Sequence, residues 1–284
     1  MTTSTSRLAV SALGLALLGV SPLVAQTQKA SLYHKFELNL SGSAVILNSN
    51  IRVDGSGGQV GTDIDAEDDL GMEKSKFEPR FAMRWKPGRR HELELGYQFA
   101  RRDAEKTLQR EIDFGDSTYS LGANIKTTFN SDQVFFAYRF AFMAKERTQI
   151  GAALGLGALL LDVGLEALGT GSDPRQFTVE KKVTGPLGSL GLFGRFLAGD
   201  RWRFDVDARA VKIAIDRFDA RVIEIGGAAR YHLSNSFAIE AGYSGSGIKV
   251  DVGPKTTESG GTGLASGEIK YSLQSIRFGL VIIP

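Results

Sequence analysis

Residues 76–101 place the strictest limit on what this chain can fold into. Phe77, Phe81, Met83 and Trp85 share one parity, and Glu78, Arg80, Arg84 and Lys86 share the other. Pro87-Gly88 interrupts the run, after which Leu93, Leu95, Tyr97 and Phe99 alternate with Glu92, Glu94 and Gln98. Alternation at period two is the mark of a β-strand, and a Pro-Gly pair marks a turn, so the segment reads as a hairpin. Each strand has one wholly apolar face and one charged face. A soluble sandwich would bury the apolar face and leave the charges in water. A membrane barrel reverses this, with apolar groups toward lipid and polar groups in the lumen. One hairpin does not decide between the two, and the rest of the chain must.

The N-terminus speaks for export. Arg7 precedes an apolar stretch at 8–20, Ser21-Pro22 ends it, and Ala25 offers a small residue for cleavage. This is the pattern of a signal peptide over residues 1–25 and a single mature domain over 26–284. The apolar stretch is too short to span a bilayer as a helix, and no other run is longer. A chain that leaves the cytoplasm and enters a membrane must then do so as a barrel. The absence of Cys excludes disulfides and thiolate metal sites. A formal net charge of +2, with no dense basic run, excludes a nucleic-acid-binding surface.

Read in order, the chain gives ten strands, within a range of eight to twelve. The first carries Phe36, Leu38, Leu40, Ala44 and Ile46 against Glu37, Asn39, Ser41 and Ser43. Long loops are expected at 48–72, 102–117, 164–180 and 253–267. Short turns are expected after Trp85, Phe142, Leu197 and Leu233, with one further brief link at 217–219. Short turns on one side and long loops on the other are the asymmetry of outer-membrane barrels, which puts both termini in the periplasm. Residues 119–142 pose one difficulty. Leu121, Ala123, Ile125, Thr127 and Phe129 hold one parity, while Val134, Phe136, Tyr138, Phe140 and Phe142 hold the other. A β-bulge at 130–132 would shift parity within a single strand, whereas a turn there would split the segment in two; the bulge is the expectation because it keeps an even strand count.

By parity the lumen receives Glu37, Glu78, Arg80, Arg84, Glu92, Glu94, Arg139, Arg195, Arg203, Asp205, Asp207, Arg209, Glu224, Arg230, Glu240 and Arg277. The two signs balance. In a lumen barely wider than its side chains such groups must pair, which predicts a cross-linked interior with low conductance. Trp85, Phe142, Phe196, Trp202, Tyr231 and Phe237 fall on the outer face at the short-turn ends, the place of a membrane-interface aromatic girdle.

Together these features resemble small Gram-negative outer-membrane β-barrel proteins. The runs 68–71, 79–81, 90–93, 96–97 and 112–116 resemble an uncharacterised group of that class. The resemblance covers the mature chain as architecture and residues 63–142 as motif. It implies an all-β, up-and-down transmembrane barrel in the outer membrane, contacting its lipids, lipopolysaccharide and the barrel-assembly machinery. It carries no catalytic residues and no cofactor.

Candidate chemistry is sparse. His34, His91 and His232 all fall on the short-turn side and read as hydrogen-bonding residues rather than catalytic bases. Asp63, Asp65, Glu67, Asp68 and Asp69 offer five carboxylates that a Ca²⁺ ion could use. Asp68 and Lys74 stand where an EF-hand needs Gly and Glu, so a solvated acidic loop is the expectation. Gly151, Gly155 and Gly157 form a small-residue strand face rather than a phosphate loop. The leading reading is a non-enzymatic barrel with a structural or interaction role, or slow passage of small solutes. A solute channel or hydrophobic-ligand transporter, and a lipid or peptide hydrolase, are the alternatives.

Overall fold

The computed structural model describes residues 30–55, 59–168, 178–215, 218–253 and 266–284; the expected signal peptide lies outside them. Among the described residues thirteen strands occur in chain order: β1 Phe36–Val53, β2 Ile64–Asp65, β3 Ser75–Trp85, β4 His91–Thr107, β5 Ile112–Phe114, β6 Ser117–Tyr119, β7 Asn124–Ala144, β8 Thr148–Leu168, β9 Thr178–Ala198, β10 Trp202–Ile215, β11 Phe218–His232, β12 Phe237–Val252 and β13 Gly267–Ile282. β1, β3, β4 and β7–β13 pair antiparallel with their neighbours, and β13 returns to β1. The closed ring has ten strands. β2 is a two-residue addition to β1, and β5–β6 is a separate miniature hairpin in a loop. Closure removes the unpaired edges that hydrocarbon would penalise.

The exterior is apolar. Ile46, Phe81, Leu95, Phe136, Leu154, Leu192, Val206, Ile225, Tyr243 and Phe278, one from each barrel strand, are all exposed. A water-soluble monomer does not leave so continuous a band uncovered. Trp85, Phe142, Phe196, Trp202 and Phe237 stand exposed at the short-turn rim, where the Trp202 and Tyr231 rings meet at 4.9 Å. Gly199, with φ 61°, makes the tight turn between β9 and β10 in a conformation that a Cβ would strain.

The expected bulge at 130–132 does not occur. β7 runs in unbroken register against β8 through Asn130↔Asp162, Ser131↔Leu161 and Asp132↔Leu160, and the single irregularity falls between Ala141 and Met143. Ile125, Thr127 and Phe129 simply face inward, whereas Val134 and Phe136 face outward. The parity of the backbone is constant, and the medium outside the strand changes. The same reversal recurs around the ring. Outward Ile46 gives way to Asn48 and inward Leu47, outward Leu160 to Asp162 and inward Leu161, outward Ile276 to Gln274 and inward Leu273. These positions lie side by side in the registers Ile46↔Gln274 and Asp132↔Leu160. They trace the rim where hydrocarbon ends and water begins. A strand needs about 9–11 residues to cross a bilayer, and β7, β8 and β9 have 21 each, so the wall continues beyond the rim.

This extension also corrects three loop boundaries. β8 reaches Leu168 and β9 begins at Thr178, within the loop expected at 164–180; residues 169–177 are outside the described set. β1 runs to Val53 and β4 to Thr107, each deep into an expected loop. Above the rim the interior is filled by Ile51, Ile64, Leu70, Met72, Leu108, Ile112, Phe114, Ile125, Phe129 and Leu165. The first long loop and the β5–β6 hairpin supply half of this apolar plug.

Candidate functional site

The interior below the plug is the candidate site, and all ten barrel strands build it. At the short-turn end Glu37 on β1 accepts hydrogen bonds from Arg203 on β10 (2.9 Å) and Arg230 on β11 (2.8 Å). Arg84 and Lys86 approach it at 3.6 and 3.7 Å. Glu92 on β4 is held by both terminal nitrogens of Arg195 on β9 at 2.6 Å. Glu94 takes Arg84 at 3.1 Å and Arg139 of β7 at 2.9 Å. Asp205 receives a two-pronged contact from Arg203 at 2.8 and 2.9 Å. Glu240 on β12 receives Arg230 at 2.6 Å and the Asn39 amide at 3.2 Å. All of these except Asp205 are buried. Two-pronged guanidinium–carboxylate pairing of this kind is the strongest form of hydrogen bond available to side chains.

Several members were not singled out from sequence. Lys86 is buried, donates to the Leu32 carbonyl at 2.7 Å and approaches Glu92 at 3.4 Å. Its parity on the first strand's charged face was the signal. Adding it to the sixteen inward charges gives nine cations against eight anions. Gln149 on β8 accepts from Arg195 at 3.1 Å. Phe135 and Phe193 point inward over Gly96 and Gly151, glycines at which a Cβ would overlap those rings. Arg80 lies 5.0 Å over the Phe135 ring, and Arg139 and Arg195 lie 5.6 and 5.1 Å from Phe193, so these rings hold arginines as cation–π partners. The segment 30–35 crosses the short-turn mouth. Leu32 is fully buried there, and the His34 and His232 rings stack at 5.8 Å.

Toward the middle the pairing loosens. Arg80 reaches Glu94 at 3.3 Å, Arg277 lies 3.4 Å from Glu240, and Arg209 lies 3.6 Å from Asp207. There the lumen opens into a cavity of about 180 Å³ whose walls include Glu78, Arg80, Arg209, Glu224 and Arg277. Gln98 donates to one Glu78 oxygen at 2.7 Å, and the other oxygen is buried without a hydrogen-bond partner.

The acidic loop is folded, with Glu67 buried and Asp63 and Asp68 still largely exposed. Glu67 is buried, binds Arg102 at 2.5 Å and accepts the Ser49 N–H at 2.8 Å. Asp69 binds Arg110, Asp68 binds Lys74 at 2.8 Å, and Asp63 sits 3.7 Å from Arg52. Asp65 accepts from the N–H groups of Glu67 and Asp68 at 3.0 and 2.7 Å. The five carboxylates thus diverge toward cations and backbone donors, and among the described residues no trio of metal-ligating groups converges. Burial alone would push the Asp69 carboxyl up. Hydrogen bonds from Arg110 and from the Asp65 N–H outweigh that and hold it below the ordinary aspartate value. His91 is exposed on the outer wall, with Nδ1 2.7 Å from the Tyr138 hydroxyl, remote from the paired His34 and His232.

Closed ring, lipid-facing belt and charged interior define an outer-membrane β-barrel with transmembrane strands. Two solved structures share its shape. The outer-membrane protease OmpT of Escherichia coli aligns over 90% of this chain and 99% of its own, with a TM-score of 0.55 and 8% identity. The translocator domain of the autotransporter NalP of Neisseria meningitidis aligns over 89% and 90%, with a TM-score of 0.50 and 11% identity. At such identities the likeness is one of fold. No family model matches the chain, and no curated protein sequence matches it.

Proposed function

We propose that this chain is a non-enzymatic integral barrel of the Gram-negative outer membrane, closed to free diffusion, with a structural or interaction role. Both termini lie on the periplasmic side. Its surroundings are outer-membrane lipids and lipopolysaccharide, and the barrel-assembly machinery inserts it. One observation carries this reading. Side chains from nine of the ten barrel strands meet in an ion-paired and hydrogen-bonded mesh at the short-turn end, and an apolar plug fills the other end. A solute crossing the lumen would have to separate pairs whose disruption costs ~3–5 kcal/mol each. Solute passage is therefore at most slow. The hydrolase reading lacks a base placed near a nucleophile, since His34 and His232 stack on one another and His91 faces outward.

The test is planar-bilayer recording on the refolded protein. Absence of stable current steps is expected. Steady, sign-selective steps would replace this reading with that of a solute channel.

A further inference from the structure

The barrel wall has a break, and the break meets the cavity. The ladder between β9 and β10 ends at Ala210↔Leu190, although β9 continues back to Thr178 and β10 onward to Ile215. Beyond that point residues 211–215 pair with β11, and residues 178–189 pair with β8. The register carried forward would set Pro186 within the missing stretch, and proline has no N–H to give a ladder. The other proline inside a barrel strand behaves alike: the β3–β4 ladder ends at Arg80↔Gln98, directly before Pro79. That second gap is covered, because Arg102 and Lys106 of β4 bind the first long loop at Glu67 and Asp68. No such cover is seen over the β9–β10 gap among the described residues.

The gap lies at the outer edge of the apolar belt. Gly188 pairs with exposed Leu156 inside the belt, and Asp162 marks the water side six residues along β8. Gly188 and Ser189 on one side of the gap, and Arg209 and Ala210 on the other, all line the cavity. The cavity itself is two-faced. Its apolar lining includes Phe129, Leu161, Val222, Ile248 and Ile269, and its polar lining carries Arg80, Arg209 and Arg277 with the two carboxylates Glu78 and Glu224. The ion pairs of these three arginines are long, at 3.3, 3.6 and 3.4 Å. Among the seventeen inward charges counted above the cations exceed the anions by one, and the Arg277 Nε is buried without a hydrogen-bond partner.

We propose that the cavity binds a single-chain amphiphile with an anionic head, entering sideways from the membrane through the β9–β10 gap. The head, a carboxylate or a phosphate monoester, sits on Arg80, Arg209 and Arg277, and the hydrocarbon chain lies along the apolar lining. This rests on the reading that the exposed belt lies in a bilayer, and it does not depend on whether the lumen conducts.

The experiment uses the full barrel in phosphatidylcholine vesicles, with Trp85→Phe and Trp202→Phe removing the native indoles and Tyr271→Trp reporting from the cavity wall. Dibrominated fatty acid, brominated alkyl phosphate and a brominated fatty alcohol are the quenchers. Saturable quenching by the anionic probes, at least tenfold stronger than by the alcohol, is expected; carboxylate and phosphate arms separate the two head groups. Arg209→Gln should shift the half-point at least threefold upward. The chain has no native thiol, so Gly188→Cys with Lys212→Cys, positions the register sets opposite, staples the gap. Oxidation should slow the onset of quenching at least fivefold, and reduction should restore it. Equal quenching by alcohol and acid, or none, overturns the binding site even if every Arg variant misfolds. Unchanged onset in a verified disulfide overturns the lateral route. Current steps in planar bilayers would instead strike the closed-barrel reading alone.

Discussion

Replacing Glu37 by Gln keeps the side chain's shape and removes one charge from the centre of the mesh. Glu37 is within 2.9 Å of Arg203 and Arg230 and within 3.7 Å of Arg84 and Lys86. None of the four cations is left alone, because Arg203 keeps Asp205, Arg230 keeps Glu240, Arg84 keeps Glu94 and Lys86 keeps Glu92. Two short charge-assisted hydrogen bonds are weakened, at ~1.5–3 kcal/mol each. Losing one member of a buried pair costs ~3–5 kcal/mol overall. The interior moves from nine cations and eight anions to nine and seven, which favours the upper part of that range. Equilibrium urea unfolding of the refolded barrel, with heat-modified gel mobility as the folded-state marker, measures the loss. Asp132→Asn is the reference: its pair with Arg101, at 2.8 Å, is half-exposed on the outer wall and should cost ~1 kcal/mol or less. Arg230→Met alone also strips Glu240 of its 2.6 Å partner, and the double variant with Glu37→Gln should lose less than the sum of the two single losses, by a coupling of ~1 kcal/mol or more. A loss under ~1 kcal/mol for Glu37→Gln, equal to the Asp132 reference, would mean that the mesh is solvated like a surface pair and would refute the closed lumen.

Gly96→Ala drives a methyl group into the Phe135 ring and should destabilise by ~1–3 kcal/mol in the same unfolding assay, with Phe135→Leu relieving most of it. The Asp69 carboxyl has its pKa depressed in the folded loop, so its contribution is complete above the unfolded value of about 3.9 and is lost as pH falls through the lower folded value. Amide exchange over residues 65–72 should therefore be flat from pH 7 to about 4, after correction for intrinsic rates, and rise below it; a rise centred near neutral pH would point to another group. Trp85 and Trp202 stand at the short-turn rim, so lipids brominated near the head group should quench them more than lipids brominated mid-chain. Equal quenching would displace the girdle.

The outer wall was legible because it depends on one local rule. Period-two alternation assigned Phe81, Trp85 and Leu95 outward and Arg84, Glu94 and Arg277 inward without knowledge of which strands are neighbours. The same rule failed at 130–132 for a physical reason. Alternation reports the contrast between two faces, and that contrast changes sign where a strand leaves hydrocarbon for water. Apolar Ile125 and Phe129 on the inward parity looked like a shift of the backbone, when it was the solvent that had changed. In the acidic loop the exposure of Asp63 and Asp68 was legible from sequence, whereas the burial of Glu67 against Arg102 needed the fold.

The sequence alone pointed to about ten barrel strands, the face most side chains take within the belt and the side on which the turns are short, since each is set by neighbours within a few residues. Only the tertiary structure decided which arginine meets which carboxylate, that Lys86 tips the interior positive, and that the wall parts beside the cavity. Glu37 and Arg230 are 193 residues apart in the chain, and closure of the ring, which no local pattern encodes, brings them to 2.8 Å.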